Sequence, residues 1–115
     1  MSDLKFSVEN GDLEKVKEGC TSVGFKVTFS HGRGLLHCAA DYGQKEVMEY
    51  LIKNKCDVNA KDEYGMTPLC NAVLEGHTGC VKLLLENGAD KTVPAPSGGS
   101  LIDSADKEEI KNLLK

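Results

Sequence analysis

The sequence lacks the features that mark a secreted, disulfide-linked protein. Its five cysteines are an odd number, none of them forms a CxxC pair, and no N-x-S/T glycosylation sequon occurs. A dispersed, odd set of thiols fits a disulfide framework poorly and is typical of reduced cysteines. We therefore expect a protein of the cytoplasm, with the nucleus as an alternative compartment.

Long apolar runs and clustered basic residues are also missing. The longest apolar stretches, such as residues 83–85, are far too short to cross a bilayer, and we expect no signal peptide at the N-terminus. The formal net charge is −4, with 14 basic residues scattered among 18 acidic ones. Because nucleic-acid binding needs a basic face or stripe, the composition argues against nucleic acid as a partner, and nothing in it points to a membrane.

What the sequence does contain is an internal repeat with a period of about 33 residues. A shift of one period aligns Gly32 with Gly65 and Leu36 with Leu69, and a second step takes Gly65 to Gly98. Each unit of such a repeat has an apolar face that it cannot bury alone, so neighbouring units must stack.

The clearest unit spans residues 62–90 and contains signals for two helices. Thr67 suits the cap of a short helix and Pro68 suits its first position, where a missing N–H is not needed. Gly76 is expected to end this helix, and a second, longer helix follows and stops at Gly88. The order is therefore turn, short helix, tight loop and longer helix.

The same pattern is weaker at both ends of the chain. We predict an all-α solenoid of about four helix-turn-helix repeats with truncated terminal caps, forming a single domain over residues 1–115. The predicted repeats are residues 1–28, 29–61, 62–93 and 94–115. In the last repeat, Asp106 and Glu109 predict a capping box at the start of the final helix.

Two segments carry a resemblance to known proteins. Residues 65–77, GMTPLCNAVLEGH, resemble the ankyrin repeat, and residues 34–44 repeat the pattern with a degraded opening. The whole chain resembles the myotrophin-like family of short ankyrin proteins, most specifically in residues 72–93, AVLEGHTGCVKLLLENGADKTV. Members of that family bind the heterodimeric actin capping protein and keep it from barbed filament ends, and they are also reported as partners of Rel-type transcription factors.

The resemblance implies a protein-binding regulator that sequesters actin capping protein, and we expect it to act as a monomer without a cofactor. A second hypothesis stays open, because other short ankyrin proteins act as stoichiometric inhibitors. In that case the partner is a signalling kinase or a Rel-type transcription factor.

Metal and catalytic sites are the remaining alternatives. His31, His37 and Cys38 could be proposed as metal ligands, but no CxxC or HxxxH pair completes a tetrahedral set. The resemblance instead assigns His37 to a position where ankyrin repeats place a hydrogen-bonding histidine. Cys38 cannot use His37 as a base, since neighbours in one helix do not face each other. We therefore expect neither a metal site nor an enzyme.

The resemblance implies that loop tips and the outward positions of the first helices form one binding face. The predicted binding residues are Arg33, Cys38, Asp41, Tyr42, Glu63, Tyr64, Met66, Asn71, Leu74 and Glu75. This set is rich in residue types that dominate interface energies, and its acidic members suit a basic partner surface. The alternative is that Tyr42 and Leu74 pack on adjacent repeats, and Phe6 either caps the core or contacts the partner.

Overall fold

The computed structural model describes residues 3–96 and 98–115. In these ranges the chain forms eight α-helices, numbered in chain order. They are α1 (Asp3–Asn10), α2 (Leu13–Val23), α3 (Leu35–Asp41), α4 (Lys45–Lys53), α5 (Pro68–Glu75), α6 (Thr78–Glu86), α7 (Leu101–Ser104) and α8 (Glu108–Leu114). A 3-10 turn, Ser30–Gly32, precedes α3, and the one β pairing in the described ranges is an isolated bridge between Thr28 and Gly34. The predicted all-α class is confirmed.

The helices stack as consecutive pairs in two layers. In the layer of first helices, α3 lies between α1 and α5, and α7 follows α5. In the layer of second helices, α4 lies between α2 and α6, and α8 follows α6. The core runs between the layers, where Leu51, Leu69 and Leu84 are completely buried. The predicted solenoid is therefore confirmed, while the repeat boundaries and the single-domain organisation stay predictions.

The helix signals read from the third repeat are confirmed at atomic level. The Thr67 hydroxyl accepts a hydrogen bond from the Cys70 N–H at 3.3 Å, and Pro68 occupies the first turn of α5. Gly76 ends α5 in the left-handed conformation, with φ 73°. Each signal acts within a few residues along the chain, which is why the sequence alone places it correctly.

The capping box predicted for the last helix is wrong. Helix α8 begins at Glu108, its N-cap is Lys107 in an extended conformation, and no side chain caps it. The Lys107 ammonium instead donates to the Gly76 carbonyl at 2.7 Å. This contact to the preceding repeat accompanies an extended backbone at Lys107, so the helix starts later than Asp106.

At the N-caps of α4, α6 and α8, a polar side chain connects successive repeats by donating to a backbone carbonyl of the repeat before. These contacts are Gln44 to Glu9 at 2.7 Å, His77 to Asp41 at 3.0 Å, and Lys107 to Gly76 at 2.7 Å. The His77 contact requires a close approach to Gly43, where a Cβ atom would lie 2.6 Å from the imidazole. Gly43 also has φ 68°, so a larger residue there is disfavoured by strain as well as by space.

Hairpin-like loops join the helix pairs, and we call them fingers. Finger one is residues 24–34, finger two is residues 54–67, and finger three is residues 87–100, of which residue 97 lies outside the described ranges. No helix in the described ranges is long and apolar enough to cross a membrane.

Candidate protein-binding face

The three fingers are tightened by the same backbone hydrogen bond, which recurs at the equivalent position of each repeat. These bonds run from Phe29 N–H to Arg33 O at 2.7 Å, from Asp62 N–H to Met66 O at 3.0 Å, and from Ala95 N–H to Gly99 O at 2.7 Å. The finger tips are therefore in register, and they carry Arg33, Glu63 and Tyr64 from the predicted binding set.

Asp62 holds the tip of finger two in shape. Its Oδ1 atom accepts hydrogen bonds from the N–H groups of Tyr64 at 2.8 Å and Met66 at 3.0 Å. Asp62 itself is buried, whereas Glu63 and Tyr64 project from the same turn into solvent. An aspartate that binds backbone N–H groups two and four residues ahead is a common way to rigidify a turn.

Fingers one and two touch through His31 and residues of the second tip. The Glu63 N–H donates to the His31 carbonyl at 2.9 Å, and the Tyr64 hydroxyl lies 3.1 Å from His31 Nδ1. The two rings are 5.2 Å apart between centroids, at 48°. In the tautomer that carries its proton on Nε2, the tyrosine hydroxyl donates to Nδ1. Glu63 Oε1 lies 3.7 Å from the same nitrogen. The contact orients Tyr64 along the row of tips.

His37 fixes the base of finger one and the end of finger two. Its Nδ1 atom accepts the Gly34 N–H at 3.0 Å, and its Nε2–H donates to the Met66 carbonyl at 2.8 Å. Both ring nitrogens are satisfied only in the neutral form. Burial lowers the pKa of His37, against the smaller opposing effects of the Met66 carbonyl and Asp62. The hydrogen-bonding role expected for this histidine is confirmed.

Arg33 links the tip of finger one to the end of α3 through long contacts. Its Nη2 atom lies 3.4 Å from Asp41 Oδ2 and 3.4 Å from the His37 carbonyl. Its Nε atom is buried and has no hydrogen-bond partner in the described part of the chain. The guanidinium is thus held in place without using all of its donors.

Two members of the predicted binding set do not reach the surface. Cys38 is 1% exposed and Asn71 is 6% exposed, so the prediction that they project outward is wrong. Helices α3 and α5 are only about two turns long and are flanked by other first helices on both sides, which buries residues 35–40 and 67–73. Burial also raises the pKa of the Cys38 thiol, and Asn71 Oδ1 is buried without a partner among the described residues. Met66 is half-buried against the core.

The other side chains of the set are exposed or half-exposed. Tyr42 is 51% exposed, Tyr64 66% and Leu74 43%, so Tyr42 and Leu74 are not packed away on adjacent repeats. Phe6 on α1 is 66% exposed and does not cap the core. We define the fingertip face as Arg33, Asp41, Tyr42, Glu63, Tyr64, Leu74 and Glu75. The binding role of these residues stays a prediction.

Sequence reasoning missed His31 as part of this region and considered it only as a possible metal ligand. The available signal was spacing, since His31 and Tyr64 are separated by one repeat length. Equivalent positions of adjacent fingers are neighbours in a stacked array, so a histidine and a tyrosine at this spacing are expected to meet.

The described residues offer little for metal binding or covalent chemistry. No group of three His, Cys, Asp or Glu side chains converges among them. Burial raises the pKa of the Cys20, Cys38, Cys56 and Cys80 thiols, which keeps them protonated near neutral pH. A protonated, buried thiol is a poor nucleophile and behaves as a small apolar side chain.

Comparison with known proteins agrees with this geometry. A family model described as ankyrin repeats (three copies) matches residues 4–95. The chain belongs to the ankyrin-repeat family. Ankyrin-repeat stacks work by presenting a surface to another protein, and this protein is accordingly an interaction module.

Several curated ankyrin-repeat proteins are similar to this chain. The 26S proteasome non-ATPase regulatory subunit 10 of Dictyostelium discoideum is 45% identical over 91 residues, which is 76% of this chain and 39% of that protein. The human protein phosphatase 1 regulatory subunit 27 is 32% identical over 113 residues, covering 94% of this chain and 73% of the relative. The serine/threonine-protein kinase 12 of Arabidopsis thaliana is 34% identical over 88 residues, where this chain spans 19% of its length. Two of these relatives are named as regulatory subunits.

Proposed function

We propose that this ankyrin-repeat protein regulates another protein by binding it through the fingertip face, and that the partner is the heterodimeric actin capping protein. It acts in the manner of the myotrophin-like family, holding capping protein away from barbed filament ends. The proposed protein is a monomer of the cytoplasm, with the nucleus as a second location, and it uses no cofactor.

The observation that carries a binding function is the exposure of large side chains on the fingertip face, with Tyr64 at a finger tip and Tyr42 and Leu74 at the C-terminal ends of α3 and α5. Tyr42, Tyr64 and Leu74 are each more than two fifths exposed, although burying such side chains is normally favourable. Aromatic residues and arginine supply much of the binding energy at protein interfaces. Support for capping protein in particular comes from the resemblance over residues 72–93, which form the end of α5, all of α6 and the start of finger three.

Charge distribution supports a partner with a basic patch. Asp41, Glu63 and Glu75 border the exposed tyrosines and leucine, and the protein as a whole has a formal charge of −4. Arg33 is the one cation in the set, and its contact to Asp41 partly neutralises it. An acidic rim of this kind accelerates association with a basic surface and makes it sensitive to salt.

An actin elongation assay tests the proposal. Capping protein stops barbed-end growth, and the purified protein is expected to restore growth in proportion to its concentration. Tyr42→Ala and Leu74→Ala should each weaken this effect at least about fivefold, the loss expected for a central interface residue. Lys82→Ala on the exposed side of α6 is the control and should act like the parent. Failure to restore growth at large excess removes capping protein as the partner.

A second candidate is regulation of a signalling enzyme or a Rel-type transcription factor by stoichiometric binding. The observation that favours it is the alignment of 94% of this chain with a relative named as a phosphatase regulatory subunit. An affinity pull-down with Tyr42→Ala as the negative control separates the two candidates. Capping-protein subunits should dominate under the first proposal, whereas a kinase, a phosphatase or a Rel-type factor should dominate under the second.

A further inference from the structure

A cleft of about 750 Å³ lies between the bases of finger one and finger two. Phe25, Val27 and Leu36 give it an apolar interior, and Lys55 and Asp57 form part of the opposite wall. None of the residues of the fingertip face lines it. The cleft is therefore a second surface feature, separate from the one that carries the proposed function.

The corresponding gap between fingers two and three is bridged by one side chain. The Asn59 carboxamide donates from Nδ2 to the Gly88 carbonyl at 3.1 Å and accepts at Oδ1 from the Asp90 N–H at 2.7 Å. Because a carboxamide carries both a donor and an acceptor, it satisfies this pair of backbone groups by itself.

The repeat spacing identifies the same three positions at the cleft. Lys26 lies one repeat length before Asn59 in the sequence. In the same way, Lys55 precedes Gly88 and Asp57 precedes Asp90. Lys26 is exposed, and a lysine has no acceptor with which to complete such a bridge. Within the described part of the chain, neither the Lys55 carbonyl nor the Asp57 N–H has a hydrogen-bond partner. The pair of backbone groups that Asn59 satisfies in one gap is therefore left open in the other.

We propose that this cleft binds an extended segment of a partner protein that inserts an asparagine side chain between the Lys55 carbonyl and the Asp57 N–H. The inserted carboxamide donates to the carbonyl and accepts from the N–H, as Asn59 does in the neighbouring gap. A neighbouring apolar side chain of the segment packs on Phe25 and Val27. Aspartate cannot replace the asparagine, since a carboxylate has no donor for the Lys55 carbonyl.

The rim and the wall of the cleft further define the partner segment. Lys26 and Lys55 are both exposed at the rim, while the Asp57 carboxylate is engaged with the Asn59 N–H at 2.9 Å. Two exposed ammonium groups beside one engaged carboxylate favour acidic residues on either side of the inserted asparagine. Burial, with a smaller effect of Cys20, raises the pKa of the Cys56 thiol to about 11, so this part of the wall is neutral and apolar.

A peptide that copies residues 57–62 of this chain, Asp-Val-Asn-Ala-Lys-Asp, is the probe, since it carries the asparagine that bridges the next gap. Titrated into the ¹⁵N-labelled protein, it should shift the amide signals of Cys56 and Asp57 in a saturable way with a Kd of about 1 mM. The matched peptide with aspartate in place of asparagine should bind at least about fivefold more weakly. No saturable shift at about 10 mM peptide, or equal binding of the two peptides, overturns the proposal.

The variant Lys26→Asn supplies the missing carboxamide from the chain itself. It should slow hydrogen exchange at the Asp57 amide. It should also weaken binding of the asparagine peptide at least about fivefold, because the introduced side chain now occupies the cleft. Lys82→Asn, which makes the same change of charge on α6, should bind the peptide like the parent. Unchanged peptide binding by Lys26→Asn shows that the register argument is wrong.

A shift of the same amides with protein concentration alone assigns the cleft to a second copy and overturns the proposal. None of these measurements uses capping protein, so their outcome is independent of the elongation assay.

Discussion

Among the described residues, fingers one and two are joined at their tips, with only a long Cys56 Sγ to Phe25 carbonyl contact of 4.0 Å at their bases, whereas fingers two and three are joined at their bases. At the first gap, Glu63 and Tyr64 contact His31 at the tips, and the base opens into the cleft. At the second gap, Asn59 closes the base. The residue that follows Glu63 by one repeat is Pro96, which has no N–H to donate.

The difference shows how single residues assign separate roles to equivalent gaps in one repeat array. Contact at the tips places Arg33, Glu63 and Tyr64 on a common, ordered surface, which suits recognition of a folded partner. An open base leaves backbone groups available to an extended segment. Neither property follows from the repeat unit itself, because each depends on which residues meet between one finger and the next.

The largest expected effect is at His37, which joins finger one to finger two. His37→Ala leaves the Gly34 N–H and the Met66 carbonyl unpaired and opens a cavity, so we expect a loss of about 3 kcal/mol in the free energy of unfolding. Urea denaturation measures this. His31→Ala, at an exposed position of the same gap, should cost less than about 1 kcal/mol, and equal losses would contradict the assigned roles.

The first repeat should be less stable than the third, because it has a neighbour on one side only. We expect amides in residues 3–30 to exchange roughly thirtyfold faster than those in residues 62–88, a difference of about 2 kcal/mol in opening free energy. Hydrogen exchange followed by mass spectrometry resolves the two segments. Uniform protection across both would show that contact at the finger tips stabilises repeat one as fully as an interior repeat.

Acidification should lower the free energy of unfolding through His37, which joins finger one to finger two. Its pKa in the folded protein lies below the ordinary value of 6.5, so the unfolded chain binds the proton more tightly. The contribution of neutral His37 to the free energy of unfolding is fully present above pH 6.5. It is lost as the pH falls below 6.5, at up to about 1.4 kcal/mol per pH unit. Thermal unfolding between pH 7.5 and about pH 5 measures this effect. The His37→Ala variant should show a shallower slope, and an identical slope would assign the pH dependence to other groups.

Removing the bridge at the base of the second gap should have a smaller effect. Asn59→Ala exposes two backbone groups at a partly solvated position, so we expect a loss of about 1 kcal/mol and faster exchange at the Asp90 amide. Lys26→Ala, the equivalent change at the first gap, should leave stability unchanged, since Lys26 bridges nothing among the described residues. Comparable losses in the two variants would mean that the bases of the two gaps do not differ.

The smallest expected effect is at the finger tips. Tyr64→Phe removes the hydroxyl contact to His31 but keeps the Glu63 backbone bond, so the free energy of unfolding should change by less than about 0.5 kcal/mol. The variant is nevertheless expected to weaken partner binding in the elongation assay if the hydroxyl orients Tyr64. A large loss of stability instead would show that the tip contact, and not His37, holds the first gap together.

Much of the fold could be read from local patterns in the sequence. The caps at Thr67, Pro68 and Gly76 act within one or two helical turns, so their residue types suffice to place α5. The capping box proposed at Asp106 is wrong, since the backbone is extended at Lys107, and the Lys107 ammonium contacts Gly76 of the preceding repeat, which a local pattern does not contain. Helix starts were therefore predictable where local hydrogen bonds decide them.

The candidate site was predicted less completely. The tips at Glu63 and Tyr64 follow from the turn signal, but Cys38 and Asn71 were placed outside although both are buried. Periodicity identifies one apolar face of a helix, yet a two-turn helix flanked on both sides also buries its lateral positions. The number of neighbours around a helix is a property of the stack.

The sequence by itself determined that this protein is a stack of helix pairs repeating at a fixed interval, because each unit has an apolar face that only a neighbouring unit can cover. The tertiary structure decided which side chains remain exposed at the tips and where the gaps between fingers open. Those features depend on contacts between neighbouring fingers, such as His31 with Tyr64 and Asn59 with Asp90. Such contacts depend on the distance between fingers in the folded chain, and no local pattern of residues encodes that distance.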